Sequence, residues 1–359
     1  MRALCVVGAR PNFMKIKPVV DALDRRGVEV VLVHTGQHYD RSMSSVFFDE
    51  LGIREPDRWL DVGSGSHADQ TARVMMALDP VMEEVGPDVV VVVGDVNSTM
   101  AASLVAAKSP ARLAHVEAGL RSRDWTMPEE VNRLVTDNLS DDLLAPSADA
   151  VANLLDEGHP PDRVHLVGNV MIDTLLANVD RARERSTLES LGLAPGGYGL
   201  VTLHRPANVD HVEMFKGLLG ALGEVAAECP LVLPAHPRVV PLLEALDVPA
   251  GIRVIAPLGY LDFIALQASA LVVLTDSGGV QEETTALGVP CLTLRDTTER
   301  PITITEGTNV LVGRDPERIV AEAQRVLREG VEPRRPALWD GLAGERIADV
   351  LVDETRARR

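Results

Sequence analysis

The chain has 359 residues, long enough for two domains, and its 46% hydrophobic and 25% charged residues are typical of a globular protein. Lys and Arg total 35 against 53 for Asp and Glu, which gives a formal net charge of −18. Because nucleic acids and anionic membranes are bound by basic surfaces, this balance argues against both as partners. A site for a phosphorylated small molecule would therefore need Lys or Arg side chains concentrated within the site itself.

The three cysteines, Cys5, Cys229 and Cys291, lie far apart within apolar runs and form no CxxC pair. This arrangement favours buried thiols in a reducing cytoplasm over a disulfide framework or a zinc site. The first residues do not resemble a signal peptide, and no run of about 18 apolar residues occurs. We therefore expect a cytoplasmic protein without a membrane span.

Short β-branched runs alternate with helical segments, and several runs are apolar on both faces, as in central strands of a parallel sheet. The predicted strands of the first half are 3–8, 28–35, 88–94, 111–117, 142–146 and 163–168. The predicted strands of the second half are 198–204, 230–236, 252–257, 271–277 and 289–294. Helices are predicted between them, for example over 68–85 and 98–107. The pattern predicts an α/β fold of two Rossmann-like, doubly wound domains, residues 1–168 and 169–340, that face a central cleft.

Several common catalytic motifs are absent from the sequence. No GxGxxG follows a strand, and GxxxxGK[ST], HExxH and GxSxG do not occur. Nicotinamide chemistry, P-loop ATP hydrolysis and zinc hydrolysis are therefore disfavoured, and no cofactor or metal is predicted.

In an open α/β sheet, ligands bind at the carboxyl ends of the strands, and the first predicted strand ends in GARPNFMKIKP. Arg10 and Lys15 would lie at that edge, beside a helix predicted to begin near Met14. Cations next to a helix N-terminus favour an anion site, whereas two solvated charges on a surface loop are the alternative.

Asp95 follows a strand of five valines in the segment GDVNST. A carboxylate that emerges from a buried strand can take part in proton transfer. It can equally cap the helix that is predicted to begin near Ser98, and the sequence alone leaves the two readings even.

The densest polar stretch is HVEAGLRSRDWTMPEEVNR, residues 115–133. Glu117 ends a predicted strand, and Pro128 and the acids after it are typical of a helix start, so helix capping explains one glutamate. Arg133 lies four residues after Glu129 and could form only a surface ion pair with it. Three carboxylates near adjacent strand ends, namely Asp95, Glu117 and Glu129, are more than capping requires.

The second half places polar groups at the ends of its own predicted strands. His204 with Arg205, and His236, follow two of them, and Arg300 follows another. The run SGGVQEE from Ser277 to Glu283 predicts backbone N–H groups and a hydroxyl at a helix start, where a phosphate can bind. Phe263 is read as a core residue or as a stacking surface for a base.

Together these stretches resemble the bacterial and archaeal UDP-N-acetylglucosamine 2-epimerases of the non-hydrolysing type. The resemblance runs in order through GARPNFMKIKP, TGQH, GDVNST, HVEAGLRS, PEEVNR, TLHR, SGGVQEE, TERP, GTNVLVG and DGLAGERI. It implies the glycosyltransferase-B architecture, usually dimeric, with the C-terminal helix of about 341–359 packing back on the first domain. It also implies interconversion of UDP-GlcNAc and UDP-ManNAc without metal or nicotinamide, by elimination of UDP to 2-acetamidoglucal and re-addition.

The resemblance also implies roles for individual residues. The catalytic set is Asp95, Glu117, Glu129, Arg133 and His204, and Asp95, Glu117 and His204 also contact substrate. The positions that match diphosphate or adjoining substrate contacts are Arg10, Lys15, His204, Ser277, Gly278, Gly279 and Arg300. Leu258 and Phe263 match uracil contacts, and Glu283 matches the ribose contact.

The sequence departs from the family where its common HRREN run reads HRPAN, so that Arg205 is followed by Pro206 and Ala207. Some members bind a second UDP-GlcNAc as an activator, and Gln37, Arg205 and His236 match part of that second site. We expect such activation to be weak or absent here. A hydrolysing epimerase that releases ManNAc and UDP, and a non-catalytic UDP-sugar sensor, remain alternatives; a glycosyltransferase would not need three carboxylates in the first domain.

Overall fold

The structure is a computed structural model that describes residues 1–36 and 50–353. The chain divides into two compact units, Met1–Leu176 with Ala337–Arg359, and Ala177–Pro336. Each unit contains one parallel sheet with helices between most successive strands, which confirms the predicted α/β class. The sequence predicts the domain boundaries between residues 168 and 169 and between residues 340 and 341.

The first unit is built on a seven-stranded parallel sheet of order β3-β2-β1-β4-β5-β6-β7. Its strands are β1 (Arg2–Val7), β2 (Glu29–His34), β3 (Arg58–Trp59), β4 (Val89–Val93), β5 (Arg112–Val116), β6 (Asp142–Ala145) and β7 (Val164–Leu166). Its helices are α1 (Arg10–Arg25), α2 (His67–Val85), α3 (Asn97–Ala106), α4 (Pro128–Leu139), α5 (Ala148–Asp156) and the first part of α6 (Val170–Arg183), with a 3₁₀ turn at Pro161–Arg163.

The order of these strands reverses between β1 and β4, and this is where ligands bind in doubly wound sheets. β4 consists of five buried valines, whose branched side chains suit a strand covered on both faces. β1, β4 and β5 are therefore adjacent, and the segments that follow them share one edge of the sheet.

α1 begins at Arg10, so the prediction of a helix start near Met14 is wrong. Pro11 lies in the first turn, where its fixed φ suits a helix and its missing N–H costs nothing. Asn12 Oδ1 accepts a hydrogen bond from the Ala9 amide at 2.9 Å, and this closes the helix start directly after β1.

The C-terminal helix, α15 (Ala343–Val352), packs against α1 within the first unit. Gly344 is required there because a Cβ would lie 2.5 Å from the Pro18 carbonyl oxygen. The carboxylate of Asp173 accepts the amides of Ala343 and Gly344 at 3.1 and 2.7 Å and so caps the helix. Burial raises the pKa of Asp173 to about 6 although both amides favour its charged form.

The second unit is built on a six-stranded parallel sheet of order β10-β9-β8-β11-β12-β13, the same pattern as in the first. Its strands are β8 (Gly199–Thr202), β9 (Leu231–Pro234), β10 (Ile252–Ile255), β11 (Val272–Thr275), β12 (Cys291–Thr293) and β13 (Asn309–Leu311). Its helices are α7 (Thr187–Ser190), α8 (Pro206–Val209), α9 (Val212–Glu228), α10 (Val240–Ala245), α11 (Tyr260–Ser269), α12 (Gly278–Leu287), α13 (Ile302–Thr305) and α14 (Pro316–Glu329).

Two edge strands, β3 and β13, were not predicted, because they have only two and three residues. The cysteines Cys5, Cys229 and Cys291 are buried and free. Within residues 1–36 and 50–353, no helix combines the length and apolar character that crossing a membrane demands.

Candidate active site

In the first unit, the predicted site residues follow the three adjacent strands β1, β4 and β5. Lys15 lies on α1 after β1, Asp95 lies two residues after β4, and Glu117 comes directly after β5. The structure thus places them at the carboxyl edge of the sheet, next to the reversal of strand order. The side chain of Arg10 lies outside the described structure, as does the whole of Gln37.

Glu117 lies in a strained and buried position. Its φ of 72° is in the left-handed region, which is unfavourable for a residue with a Cβ, and strained residues of this kind cluster at functional sites. Its amide donates to the Leu144 carbonyl at 3.1 Å. One carboxylate oxygen, Oε2, pairs with the ammonium of Lys15. The other, Oε1, is buried without a hydrogen-bond partner in the described structure, so it can accept a proton or a hydrogen bond from a ligand.

Gly94 lies beside this ion pair, at a position whose φ of 72° favours glycine. A Cβ at Gly94 would lie 3.4 Å from both Glu117 Oε2 and Lys15 Nζ, and 3.2 Å from Asn12 Nδ2. Asn12 Nδ2 donates to the Val93 carbonyl at 3.0 Å and so ties the start of α1 to the end of β4. The left-handed backbone of Gly94 therefore shapes the turn that carries Asp95, next to the charged pair.

Arg133 is almost completely buried and binds two carboxylates. Its Nη1 lies 2.5 Å from Asp95 Oδ2, and its Nη2 lies 2.6 Å from Glu130 Oε2. Asp95 does not cap the following helix, because the N-cap of α3 is Val96 and no side chain caps it. Arg133 is thus more than the surface partner of Glu129 that the sequence left open.

Glu129 and Glu130 differ sharply in their surroundings, although they are neighbours on α4. Glu130 accepts the amides of Ser122 and Arg123, each at 2.9 Å, as well as Arg133. Burial alone would raise the pKa of Glu130, but these donors hold it below its ordinary value. Glu129 is partly exposed and shares no hydrogen bond or ion pair with the described residues. Glu130 therefore supports the site, whereas Glu129 is available to a ligand.

In the second unit, the buried carboxylate of Asp276 at the end of β11 organises the end of β8. It accepts the amides of His204 and Arg205 at 3.0 and 2.9 Å, and Asn208 Nδ2 at 3.0 Å. His204 Nδ1 lies 3.0 Å from Asp276 Oδ1, so this contact orients the imidazole and leaves Nε2 for other partners. Burial alone would raise the pKa of Asp276, but its hydrogen bonds keep it low.

The second predicted histidine, His236, lies beside the first. The ring centroids of His204 and His236 are 5.7 Å apart. Burial and the electrostatic influence of the neighbouring His204 and Arg238 lower the pKa of His236. Arg205 also matches the second nucleotide site, and its Nη2 lies 3.7 Å from Glu299 Oε1.

The SGG turn and Arg300 form one structure at the start of α12. Ser277 is the N-cap of α12, and its side chain makes no capping hydrogen bond. A Cβ at Gly278 would lie 2.6 Å from Arg300 Nη1, so glycine lets the guanidinium approach the helix N-terminus. Arg300 is paired with Glu299 at 2.6 Å and with Glu282 at 2.9 Å. The helix N-terminus and the arginine together can attract an anion.

Glu283 is buried inside the second unit. Tyr260 donates to its Oε1 at 3.0 Å, and Gln267 donates to its Oε2 at 3.0 Å. Burial raises the pKa of Glu283 to about 7, although Tyr260 favours its charged form. The ribose contact assigned to Glu283 stays a prediction.

The two predicted uracil contacts are partly buried and pack against the same apolar cluster of the second unit. That cluster includes Tyr198, Leu266 and Val280, so Phe263 contributes to the core, as the simpler reading expected. Leu258 also lines a cavity of about 380 Å³, together with Arg185, Thr187 and Asp262. Stacking on a base stays a prediction.

Four supporting residues were missed from the sequence: His115, Glu130, Asp137 and Asp276. All four are buried and bind backbone or charged groups of the turns that carry the predicted residues. Only Glu130 carried a signal, as the second acid of the PEE run, because the others look like ordinary strand or helix positions.

Comparisons with known proteins agree with this arrangement. A profile of the family described as UDP-N-acetylglucosamine 2-epimerase matches residues 21–352. The chain is 38% identical to the UDP-N-acetylglucosamine 2-epimerase of Methanocaldococcus jannaschii, over 98% of this chain and 99% of that protein. It is 41% identical to the UDP-2,3-diacetamido-2,3-dideoxy-D-glucuronate 2-epimerase of Pseudomonas aeruginosa, over 98% and 99%.

The solved structure of the M. jannaschii UDP-GlcNAc 2-epimerase, in complex with UDP-GlcNAc and UDP, superimposes with a TM-score of 0.88 at 38% identity. The superposition covers 98% of this chain and 99% of that one. The predicted glycosyltransferase-B-like fold is thereby confirmed. The chain is an isomerase and belongs to the UDP-N-acetylglucosamine 2-epimerase family.

Proposed function

We propose that this enzyme is a non-hydrolysing UDP-GlcNAc 2-epimerase, which interconverts UDP-GlcNAc and UDP-ManNAc. The observation that carries the proposal is the pair of supported carboxylates at adjacent strand ends, Asp95 with Arg133 and Glu117 with Lys15. Glu129, without a partner in the described structure, supplies a third acid/base group. Acid/base groups that differ in their surroundings can serve different proton-transfer steps.

The proposed reaction has two balanced steps. In the first, a carboxylate takes the proton from C2, the C1–O bond breaks, and UDP leaves as 2-acetamidoglucal forms. In the second, a carboxylic acid returns a proton to the opposite face of C2 while a phosphate oxygen of UDP re-forms the bond to C1. The buried Oε1 of Glu117 suits the acceptor in one of these transfers, because it has no competing partner in the described structure.

The second unit supplies the groups that suit the diphosphate. The N-terminus of α12 and His204 provide N–H donors, and Arg300 adds positive charge; together they stabilise UDP as a leaving group. Ser277, Gly278 and Gly279 leave backbone donors accessible at the helix start. Leu258, Phe263 and Glu283 are proposed for the nucleoside.

Product analysis by NMR tests this proposal against its alternatives. With UDP-GlcNAc as the substrate, a stable mixture of UDP-GlcNAc and UDP-ManNAc is expected. Accumulation of free ManNAc and UDP would identify a hydrolysing epimerase instead. Stoichiometric UDP-GlcNAc binding without any product would identify a non-catalytic sensor.

A second substrate deserves a parallel assay because the relative with 41% identity acts on a UDP-2,3-diacetamido uronate. That sugar carries a carboxylate at C6 and an acetamido group at C3, so its site needs an additional cation. The chemistry at C2 would be the same. A ratio of kcat/KM values for the two UDP-sugars decides which is the better substrate.

We further propose that the enzyme is a cytoplasmic homodimer, as the family resemblance implies. The three buried, free cysteines agree with a reducing compartment.

Met76 on α2 is 77% exposed, next to a groove of about 520 Å³ that Met75, Met82 and Leu104 help to line. Light scattering is expected to show a dimer for the wild type and a weaker dimer for Met76→Glu.

A further inference from the structure

A buried imidazole connects the two turns that carry Asp95 and Glu117. His115 lies within β5 and is fully buried. Its Nε2 lies 2.9 Å from the carbonyl oxygen of Gly94, the residue before Asp95. Its Nδ1 lies 2.6 Å from Asp137 Oδ1 on α4. His115 therefore bonds the end of β4 on one side and α4 on the other.

Asp137 continues the connection to the far side of Glu117. Its Oδ2 accepts the Gly119 amide at 3.1 Å, and Arg121 Nη2 lies 2.7 Å from the same oxygen. The backbone is thus held at residues 115 and 119, on either side of Glu117. Arg121 in turn binds Glu157 at 2.6 Å, so the charges of the network are paired.

The ring contacts its two partners through both of its nitrogens. A carbonyl oxygen can only accept, so His115 Nε2 faces Gly94 as a donor. Burial alone would raise the pKa of Asp137, but His115 and Arg121 hold it below its ordinary value. One rigid ring thus bonds the Gly94 carbonyl and the Asp137 carboxylate at once.

The strained backbone at Glu117 needs such a support. A left-handed φ at a residue with a Cβ persists only where the surrounding structure enforces it. The amides of Glu117 and Ala118 both donate to the Leu144 carbonyl, which fixes one side of the turn. His115 and Asp137 fix the other side and, through Gly94, the neighbouring turn.

We propose that His115 and Asp137 are positioning residues that hold the carboxylates of Asp95 and Glu117 in register with each other for proton transfer at C2. The inference rests on the proposed function and deepens it. Neither residue contacts substrate in this account. Their effect on the reaction comes from the placement of the two turns, and a displacement of about 1 Å can lower a rate by about 10²-fold.

Three variants and a matched control test the proposal. His115→Gln keeps a donor near Gly94, His115→Asn keeps one near Asp137, and Asp137→Asn removes a charge without a change of shape. The control is Asp142→Asn, which removes another buried carboxylate, paired with Arg112 at 2.6 Å at the opposite end of β5.

Each of the three variants is expected to lower kcat by about 10²-fold while KM for UDP-GlcNAc and Kd for UDP change by less than about threefold. Asp142→Asn is expected to lose comparable stability in urea but to keep kcat within about twofold. If His115 only filled space, Gln or Asn in its place would restore kcat. Because the proposed bridge needs both contacts, neither substitution should restore kcat. Full kcat in His115→Gln or His115→Asn, or an equal loss of kcat in Asp142→Asn, would overturn the proposal.

A crystal structure of Asp137→Asn tests the proposal independently of activity. We expect the contacts between Lys15 and Glu117 and between Arg133 and Asp95 to be altered, and unaltered contacts would overturn the positioning role. If the wild type leaves UDP-GlcNAc unchanged, the proposed function fails, and the crystal structure still decides whether the network places the turns.

Discussion

Lys15 and Glu117, which lie 102 residues apart in the sequence, form a buried ion pair at the edge of the first sheet. The family resemblance implies that Lys15 contacts the diphosphate or an adjoining part of the substrate, yet in this structure its ammonium compensates the buried carboxylate of Glu117. The pair brings the first helix and the end of β5 together. It also leaves one oxygen of Glu117 for the substrate.

Removal of Lys15 should destabilise the protein because it leaves a buried carboxylate without its counter-ion. We expect Lys15→Met to lower the free energy of unfolding by about 3 kcal/mol, as found when one partner of a buried pair is removed. Lys17→Met is the matched control, since among the described residues Lys17 pairs only with Asp21, at i,i+4, and it should cost less than about 1 kcal/mol. Urea denaturation measures both. Equal stability of the two variants would contradict the account.

Glu129 and Glu130 should give opposite results when each is changed to glutamine. Glu129→Gln is expected to lower kcat by about 10²-fold with little effect on stability, because it lacks partners in the described structure. Glu130→Gln is expected to lower stability by about 1–3 kcal/mol, because Arg133 and two amides lose an ionised acceptor. Kinetics and thermal unfolding of both variants would separate proton transfer by Glu129 from structural support by Glu130. Loss of stability in Glu129→Gln together with loss of kcat alone in Glu130→Gln would contradict this assignment.

The other two carboxylates that we propose as acid/base groups should respond like Glu129 in activity. Asp95→Asn and Glu117→Gln are each expected to lower turnover by about 10²-fold or more, with smaller effects on UDP binding. Isothermal titration with UDP provides the binding control. Full turnover in both variants would show that these carboxylates do not carry the proton transfers.

Stability should depend on pH through Glu283. Its pKa is raised from 4.5 to about 7 in the folded protein, so the folded state binds this proton more tightly than the unfolded state does. The stability that the proton confers is present below the unfolded pKa and is lost as the pH rises through about 7. Glu283→Gln should therefore gain on the order of 2 kcal/mol relative to the wild type between about pH 5 and about pH 8. A difference that does not change with pH would contradict the raised pKa.

Activation by a second UDP-GlcNAc should be weak or absent. The matched residues Arg205 and His236 are present, but Pro206 begins the short helix α8 where the family carries another arginine. We expect the enzyme to convert UDP-ManNAc alone without a lag. No turnover until UDP-GlcNAc is added would refute this expectation.

The sequence predicted the strands well because they are buried on both faces and consist of branched apolar residues, as β4 shows. It also predicted that Asp95 and Glu117 would lie near adjacent strand ends, since strand ends of a parallel sheet share one edge. It could not predict the support of these residues. Whether Asp95 caps a helix or binds Arg133 depends on long-range packing, and the same holds for the burial of His115 and Asp137.

The start of α1 shows a different limit of sequence patterns. The segment GARPN suggests a loop, yet Pro11 and Asn12 satisfy the first turn of a helix that begins at Arg10. The glycine at 94 suggests a turn, and its φ of 72° agrees with that prediction. The glycine at 278 also suggests a turn, but its structural role is to admit the charged side chain of Arg300.

The central claim, proton transfer at C2 by the carboxylates of the first unit, is tested most directly by solvent deuterium. During conversion of UDP-GlcNAc in D₂O, NMR should show deuterium at C2 of both UDP-sugars for the wild type, and little in Glu117→Gln. Conversion without deuterium at C2, or equal incorporation by wild type and Glu117→Gln, would contradict the account.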